Sequence, residues 1–88
     1  MIPMKTTLHL LIHARHYDLA KVVMQPGDDV ILAGESLLID PTDLVDQRVF
    51  ALQSDCDQWG LPRPVGVTSL TDADWVARTA AAERVIVW

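Results

Sequence analysis

Eighty-eight residues with a formal net charge of −5 suffice for one small domain and are too few for two. The seven basic residues are scattered against twelve acidic ones, so the clustered Lys and Arg that neutralise nucleic-acid phosphates are missing and direct nucleic-acid binding is not expected. Half of the residues are hydrophobic, which is rich for so short a chain, yet every apolar run is far shorter than a membrane span.

In chain order, Met1-Ile2-Pro3-Met4-Lys5 lacks the basic-then-apolar order of a signal peptide, and a cytoplasmic location is expected. The first apolar run covers residues 7–12, with His9 inside it as a hydrogen-bonded core or interface histidine. Residues 17–24 read as a helix with Leu19, Val22 and Val23 on one face, stopping at Pro26-Gly27. A second run spans 29–33 and a third 48–52. Between them Asp40 is placed to cap a helical turn over 41–45. Ser54 is placed to cap a short helix over 55–59 that Gly60 closes. A weaker run at 66–70 precedes the clearest helix, residues 72–82. There Thr71 is the N-cap, Thr71-x-x-Asp74 resembles a capping box, and Trp75, Val76, Thr79 and Ala80 form a stripe. The fifth run closes the chain at 84–88. Near-continuous apolar strands alternating with helices predict a three-layer α/β/α fold, a single domain over 1–88 with a mainly parallel sheet of about five short strands.

Chemistry is sparse. Cys56 is the only strong nucleophile; it has no Cys-x-x-Cys partner or adjacent His, and a lone cysteine in this pattern fits a reducing compartment. His13-x-x-His16, with Asp18 near, has chelating spacing but no third ligand, so no metal site is expected. Ser36 in Gly34-Glu35-Ser36 lacks the Gly-x-Ser-x-Gly elbow, and four glycines make no phosphate loop, so no cofactor is expected. Asp40, Asp43 and Asp46 read as a solvated acidic face. Trp75 fits a core stripe. Trp59 and Trp88 are harder to bury in so small a domain, and aromatic residues favour interface cores, so both join His9 as candidate interface residues. No catalytic residue is assigned.

These pieces resemble the TusB/DsrH family, the smallest of the three subunit types of the TusBCD and DsrEFH sulfur-relay complexes. The resemblance rests on Thr7-Leu8-His9, on Gly27-Asp28 before a hydrophobic strand, on Val49-Phe50-Ala51-Leu52 followed by Trp59-Gly60-Leu61, and on Asp74-Trp75-Val76, Thr79 and Trp88. Residues 35–47 are shorter than is usual in the family, and Ala33-Gly34-Glu35 stands where it has Asp-Gly. The resemblance implies a DsrEFH-like fold and a non-catalytic subunit that assembles with TusC-like and TusD-like partners, typically as a dimer of heterotrimers. It implies a role in passing persulfide sulfur towards 2-thiolation of the tRNA wobble uridine, with the relay cysteine in the TusD-like partner. Some DsrH-type members carry a first-helix cysteine; Ala20 stands at about that position here. The alternatives are a DsrH-type subunit in dissimilatory sulfur oxidation, a thiol-dependent sulfurtransferase using Cys56, and a small-molecule binding module near His13, His16 and Gly34.

Overall fold

In the computed structural model, which describes residues 6–88, each of the five apolar runs contributes a strand: β1 (Thr7–Leu11), β2 (Asp29–Leu32), β3 (Arg48–Leu52), β4 (Thr68–Leu70) and β5 (Arg84–Val87). Met1 to Lys5, and the signal-peptide reading made on them, lie outside the described residues. The strands form one all-parallel sheet in the order β4-β3-β2-β1-β5. Parallel neighbours cannot be joined by hairpins, so crossovers separate them. These are α1 (Tyr17–Val23), a 3-10 turn over Gly34–Leu38, α2 (Gln53–Trp59) and α3 (Asp72–Ala81).

The chain steps outward from β1 to β4 and then returns to the other side of β1. Right-handed crossovers wound in opposite directions fall on opposite faces of a sheet. Accordingly Ala20 and Met24 from the α1 region and Cys56 from α2 pack with Leu11, Val30, Leu32 and Ala51 on one face. Trp75 and Ala82 cover Leu8, Ile31, Phe50, Leu52 and Leu70 on the other. The result is the expected three-layer α/β/α arrangement. β2 is buried along its whole length: Val30, Ile31 and Leu32 form an unbroken apolar run, and Asp29 at its start is buried with them.

Local chemistry sets most element boundaries. Thr71 Oγ1 accepts the Asp74 N–H at 3.1 Å, and Asp72 and Asp74 stand at the positive end of α3. Gly60 closes α2 at φ 64°, a left-handed conformation that glycine adopts without steric cost. Two local expectations change. α2 begins directly after β3 without a side-chain cap, and the Ser54 hydroxyl donates to Asp72 Oδ1 at 2.9 Å instead. No helix forms over 41–45. Asp40 Oδ1 accepts the Thr42 N–H at 3.1 Å in a tight turn, because so short a run cannot offset the cost of helix nucleation.

The helix faces also differ from the pattern. On α1, Ala20 faces the core while Leu19, Val22 and Val23 are exposed. On α3, Trp75, Arg78 and Thr79 are half-buried, whereas Val76 and Ala80 face outward. Arg78 explains part of this. Its guanidinium lies 4.2 Å from the Phe50 ring centroid and reaches buried Asp29 at 3.4 Å, and Arg48 also pairs with Asp29 at 2.7 Å.

Ser36 ties the sheet to the turn after β2. Its hydroxyl is fully buried, accepts the Ala33 N–H at 2.9 Å, and lies within hydrogen-bond reach of the Leu11 and Ala33 carbonyls. Ser36→Ala is expected to lower stability by about 1–3 kcal/mol, the usual cost of leaving buried polar groups unsatisfied. Urea unfolding of the two proteins at neutral pH measures it.

Candidate functional site

Open parallel sheets bind ligands beyond the carboxyl ends of their strands, where the winding reverses. Here that point lies between β1 and β5. It is closed by backbone: the Trp88 carbonyl accepts the N–H groups of Ile12 and His13 at 3.0 and 3.2 Å, and the Trp88 N–H donates to Leu10 at 2.8 Å. The polar groups therefore gather beside it, in the loops after β1, β2 and β3. Glu35 Oε1 accepts the Ala14 N–H at 3.1 Å and lies 3.6 Å from His13 Nδ1. Asp55 Oδ2 accepts the Gly34 N–H at 2.9 Å. His13 and His16 meet edge to face, with ring centroids 5.5 Å apart. The structure thus brings His13, His16, Gly34 and Glu35 together. Asp18 instead pairs with Lys21 at 3.5 Å. No group of three His, Cys, Asp or Glu among the described residues is placed to hold a metal ion.

The second polar constellation lies inside the sheet. His9 is 1% exposed, and its Nε2 lies 2.9 Å from Asp28 Oδ2. The Trp88 indole Nε1–H points at His9 Nδ1 at 3.1 Å, and the two rings are nearly parallel. An indole nitrogen can only donate, so Nδ1 accepts and the proton sits on Nε2, donated to Asp28. Both imidazole nitrogens are committed. His9 is a core histidine with neither lone pair nor proton to spare for a substrate. Asp28 also accepts the N–H groups of Gln25 at 3.0 Å and Thr7 at 3.3 Å. Burial pushes its carboxyl up, but these hydrogen bonds and the one from His9 outweigh burial and hold it below the ordinary carboxylate value.

Cys56 is buried against the first core face and is 2% exposed. Burial pushes the thiol up, and the carboxylates of Asp57 and Asp55 push it further; Arg63 opposes them only in part. That is the reverse of an activated thiolate. Ser36, whose hydroxyl is engaged by backbone groups on three sides, is structural. Of the aspartates read as an acidic face, Asp43 accepts from the Tyr17 hydroxyl and from Lys21 Nζ, the latter at 2.7 Å. Burial first, and then this bond to Asp43, raises the Tyr17 hydroxyl. The triad pins α1 to the loop before β3. Among the interface candidates, Trp59 is 56% exposed, Trp88 is half-buried on its own sheet, and His9 is inside. The network of Asp28, His9 and Trp88 escaped the sequence reading, because its members are 19 and 79 residues apart and no local pattern joins them.

Two outcomes follow from these environments. The folded Asp28 value lies below the unfolded one, so its contribution to stability is complete above about pH 4 and is lost as pH falls through the folded value. Urea midpoints of the wild type are expected to fall more steeply below pH 4 than those of Asp28→Asn; parallel slopes would contradict the assignment. The native Cys56 thiol is expected to react with iodoacetamide at least about tenfold more slowly than the urea-unfolded chain, as a buried thiol with a raised pKa should. Mass spectrometry of timed samples reads this.

No protein-family model matches this chain, and no curated protein matches it.

Proposed function

We propose that this chain is a non-catalytic structural subunit of a cytoplasmic sulfur-relay complex that supports 2-thiolation of the tRNA wobble uridine. Its partners in this reading are TusC-like and TusD-like subunits, joined as a dimer of heterotrimers, and the persulfide-carrying cysteine belongs to the TusD-like one. The ordered motifs from Leu8 to Trp88 motivate the reading. The observation that carries it is the pairing of a thiol withdrawn into the core with apolar surface left in solvent. Val85 and Val87 on β5 are 39% and 61% exposed, and Leu19, Val22 and Val23 on α1 are 62%, 81% and 42% exposed. Val85 and Val87 share a sheet face with Leu8 and Leu10, opposite the face that α1 covers, so these are two separate patches, and exposed apolar patches mark surfaces that partners cover.

Among the described residues β5 has a neighbour on one side only. The Trp88 N–H and carbonyl both face β1, so in the alternation of a strand the backbone groups of Val85 and Val87 face the open edge. Polar backbone and apolar side chains together make an edge suited to another subunit. Ala20 sits fully buried on the core side of α1, which favours thiolation over the DsrH-type role with a first-helix cysteine. The buried Cys56 favours a supporting role over direct sulfur transfer by this chain.

Co-expression with TusC-like and TusD-like subunits, followed by native mass measurement, is expected to give one hetero-oligomer. A Val85→Asp/Val87→Asp double variant is expected to shift this chain to the monomer with its circular dichroism unchanged. Cys56→Ser is expected to leave persulfide transfer through the complex intact. A chain that stays monomeric beside those partners overturns the reading.

A further inference from the structure

Sheet edges in natural proteins are guarded by lysine, proline, bulges or brevity. Among the described residues the sheet has two edges, and they differ in this respect. β4 is only three residues long. β5 carries no proline and no charge after Arg84, and its ladder with β1 continues through Trp88. The backbone groups of Val85 and Val87 point away from β1, and both side chains are exposed on the face of Leu8 and Leu10. α1 flanks the other face of the same edge. Tyr17 and Lys21 reach Asp43, in the loop before β3, so Leu19 and Val23 on the opposite flank of the helix point towards β5. Val23 lines one recess with Arg84 and Ile86.

We propose that the chain on its own pairs with a second copy, β5 against β5 in antiparallel, about a two-fold axis that passes through Ile86 perpendicular to the sheet. The hydrogen-bond phase restricts the register. Only residues whose backbone faces outward can exchange bonds, so Val85 must meet Val85 or Val87 of the second copy. With the axis at Ile86, each valine exchanges both backbone bonds with the other valine of the second copy. Arg84, Ile86 and Trp88 share the α1 face of the sheet. There Arg84 falls opposite Trp88 of the second copy, so its guanidinium meets an indole and not another cation. An axis at Val85 instead sets Glu83 against Val87, and one at Val87 carries Arg84 past Trp88. Opposed residues of an antiparallel pair project to one face, so the same rotation turns the Leu19 and Val23 flanks of the two α1 helices towards each other. One operation therefore addresses the apolar residues on both faces of the edge. It is also closed at two copies, whereas β5 on the short β4 of another copy would match fewer bonds and run on as a filament. A strand and a helix flank make a small interface, below about 1,200 Å² in total, so the dimer is reversible. Inside the proposed sulfur-relay complex a different subunit takes this edge. Either pairing can therefore fail and leave the other standing.

Sedimentation equilibrium of the full chain alone, from about 1 μM to about 1 mM, tests the pairing. A reversible monomer–dimer equilibrium is expected. Val87→Lys places a charge on the open edge and is expected to weaken the dimer at least about tenfold, with circular dichroism unchanged. Oxidation reads the register. In a Cys56→Ser background, Ile86→Cys faces its own copy across the axis with Cα atoms about 4.5 Å apart, within disulfide reach, whereas Val85→Cys faces Val87 of the second copy. The covalent dimer is therefore expected to form at least about tenfold faster with Ile86→Cys than with Val85→Cys. A chain that stays monomeric throughout, assembly beyond two copies, undiminished association of Val87→Lys, or equal crosslinking at the two positions overturns the proposal.

Discussion

The His9 imidazole lies where the two directions of winding meet, and the closure of the sheet depends on its two hydrogen bonds. One reaches Asp28, which leads into β2; the other comes from Trp88, which follows β5. β1 is thereby fastened to both of its neighbours through a single side chain as well as through the backbone ladders. An imidazole with 1% exposure has no access to water, so each unpaired nitrogen would cost about 1–3 kcal/mol. The pairing removes that cost on both sides. It also gives the sheet one register: a one-residue slip of β5 would turn Trp88 to the opposite face and separate it from His9.

This constraint separates what was legible in the sequence from what was not. The strands were legible because each is a short, largely apolar run, and β2, covered on both faces, is apolar from Val30 onwards. α3 was legible through Thr71 and the aspartates of its first turn, and the end of α2 through Gly60. These are signals between residues a few positions apart. The Asp28, His9 and Trp88 network, the Ser36 bridge to β1 and the Tyr17, Lys21 and Asp43 triad join residues distant in the chain. No periodicity encodes them. Gly27-Asp28-Asp29 reads as a strand entrance, but its first aspartate serves His9 and its second serves Arg48 and Arg78.

Periodicity misled in one direction only. The stripe of Leu19, Val22 and Val23 on α1 is real, yet it faces solvent, and the smaller Ala20 faces the sheet. A small residue lets the helix backbone approach β1 and β2 closely, and α1, seven residues long, cannot bury two apolar faces at once. The same economy acts on α3, which has no fully buried residue and covers its face with Trp75 and the stem of Arg78. A chain of this length buries a modest share of its surface, so apolar residues beyond the needs of its core must lie outside.

The distribution of chemistry follows from the same geometry. The one thiol is at the second turn of nothing longer than a seven-residue helix, walled by the core and flanked by two carboxylates. The one core histidine has both nitrogens engaged. Apolar side chains remain accessible on β5 and, across the sheet, on α1, and the imidazoles of His13 and His16 stand near Glu35 beyond β1. The open edge of β5 and the exposed apolar side chains of β5 and α1 are the features on which the proposed subunit role rests.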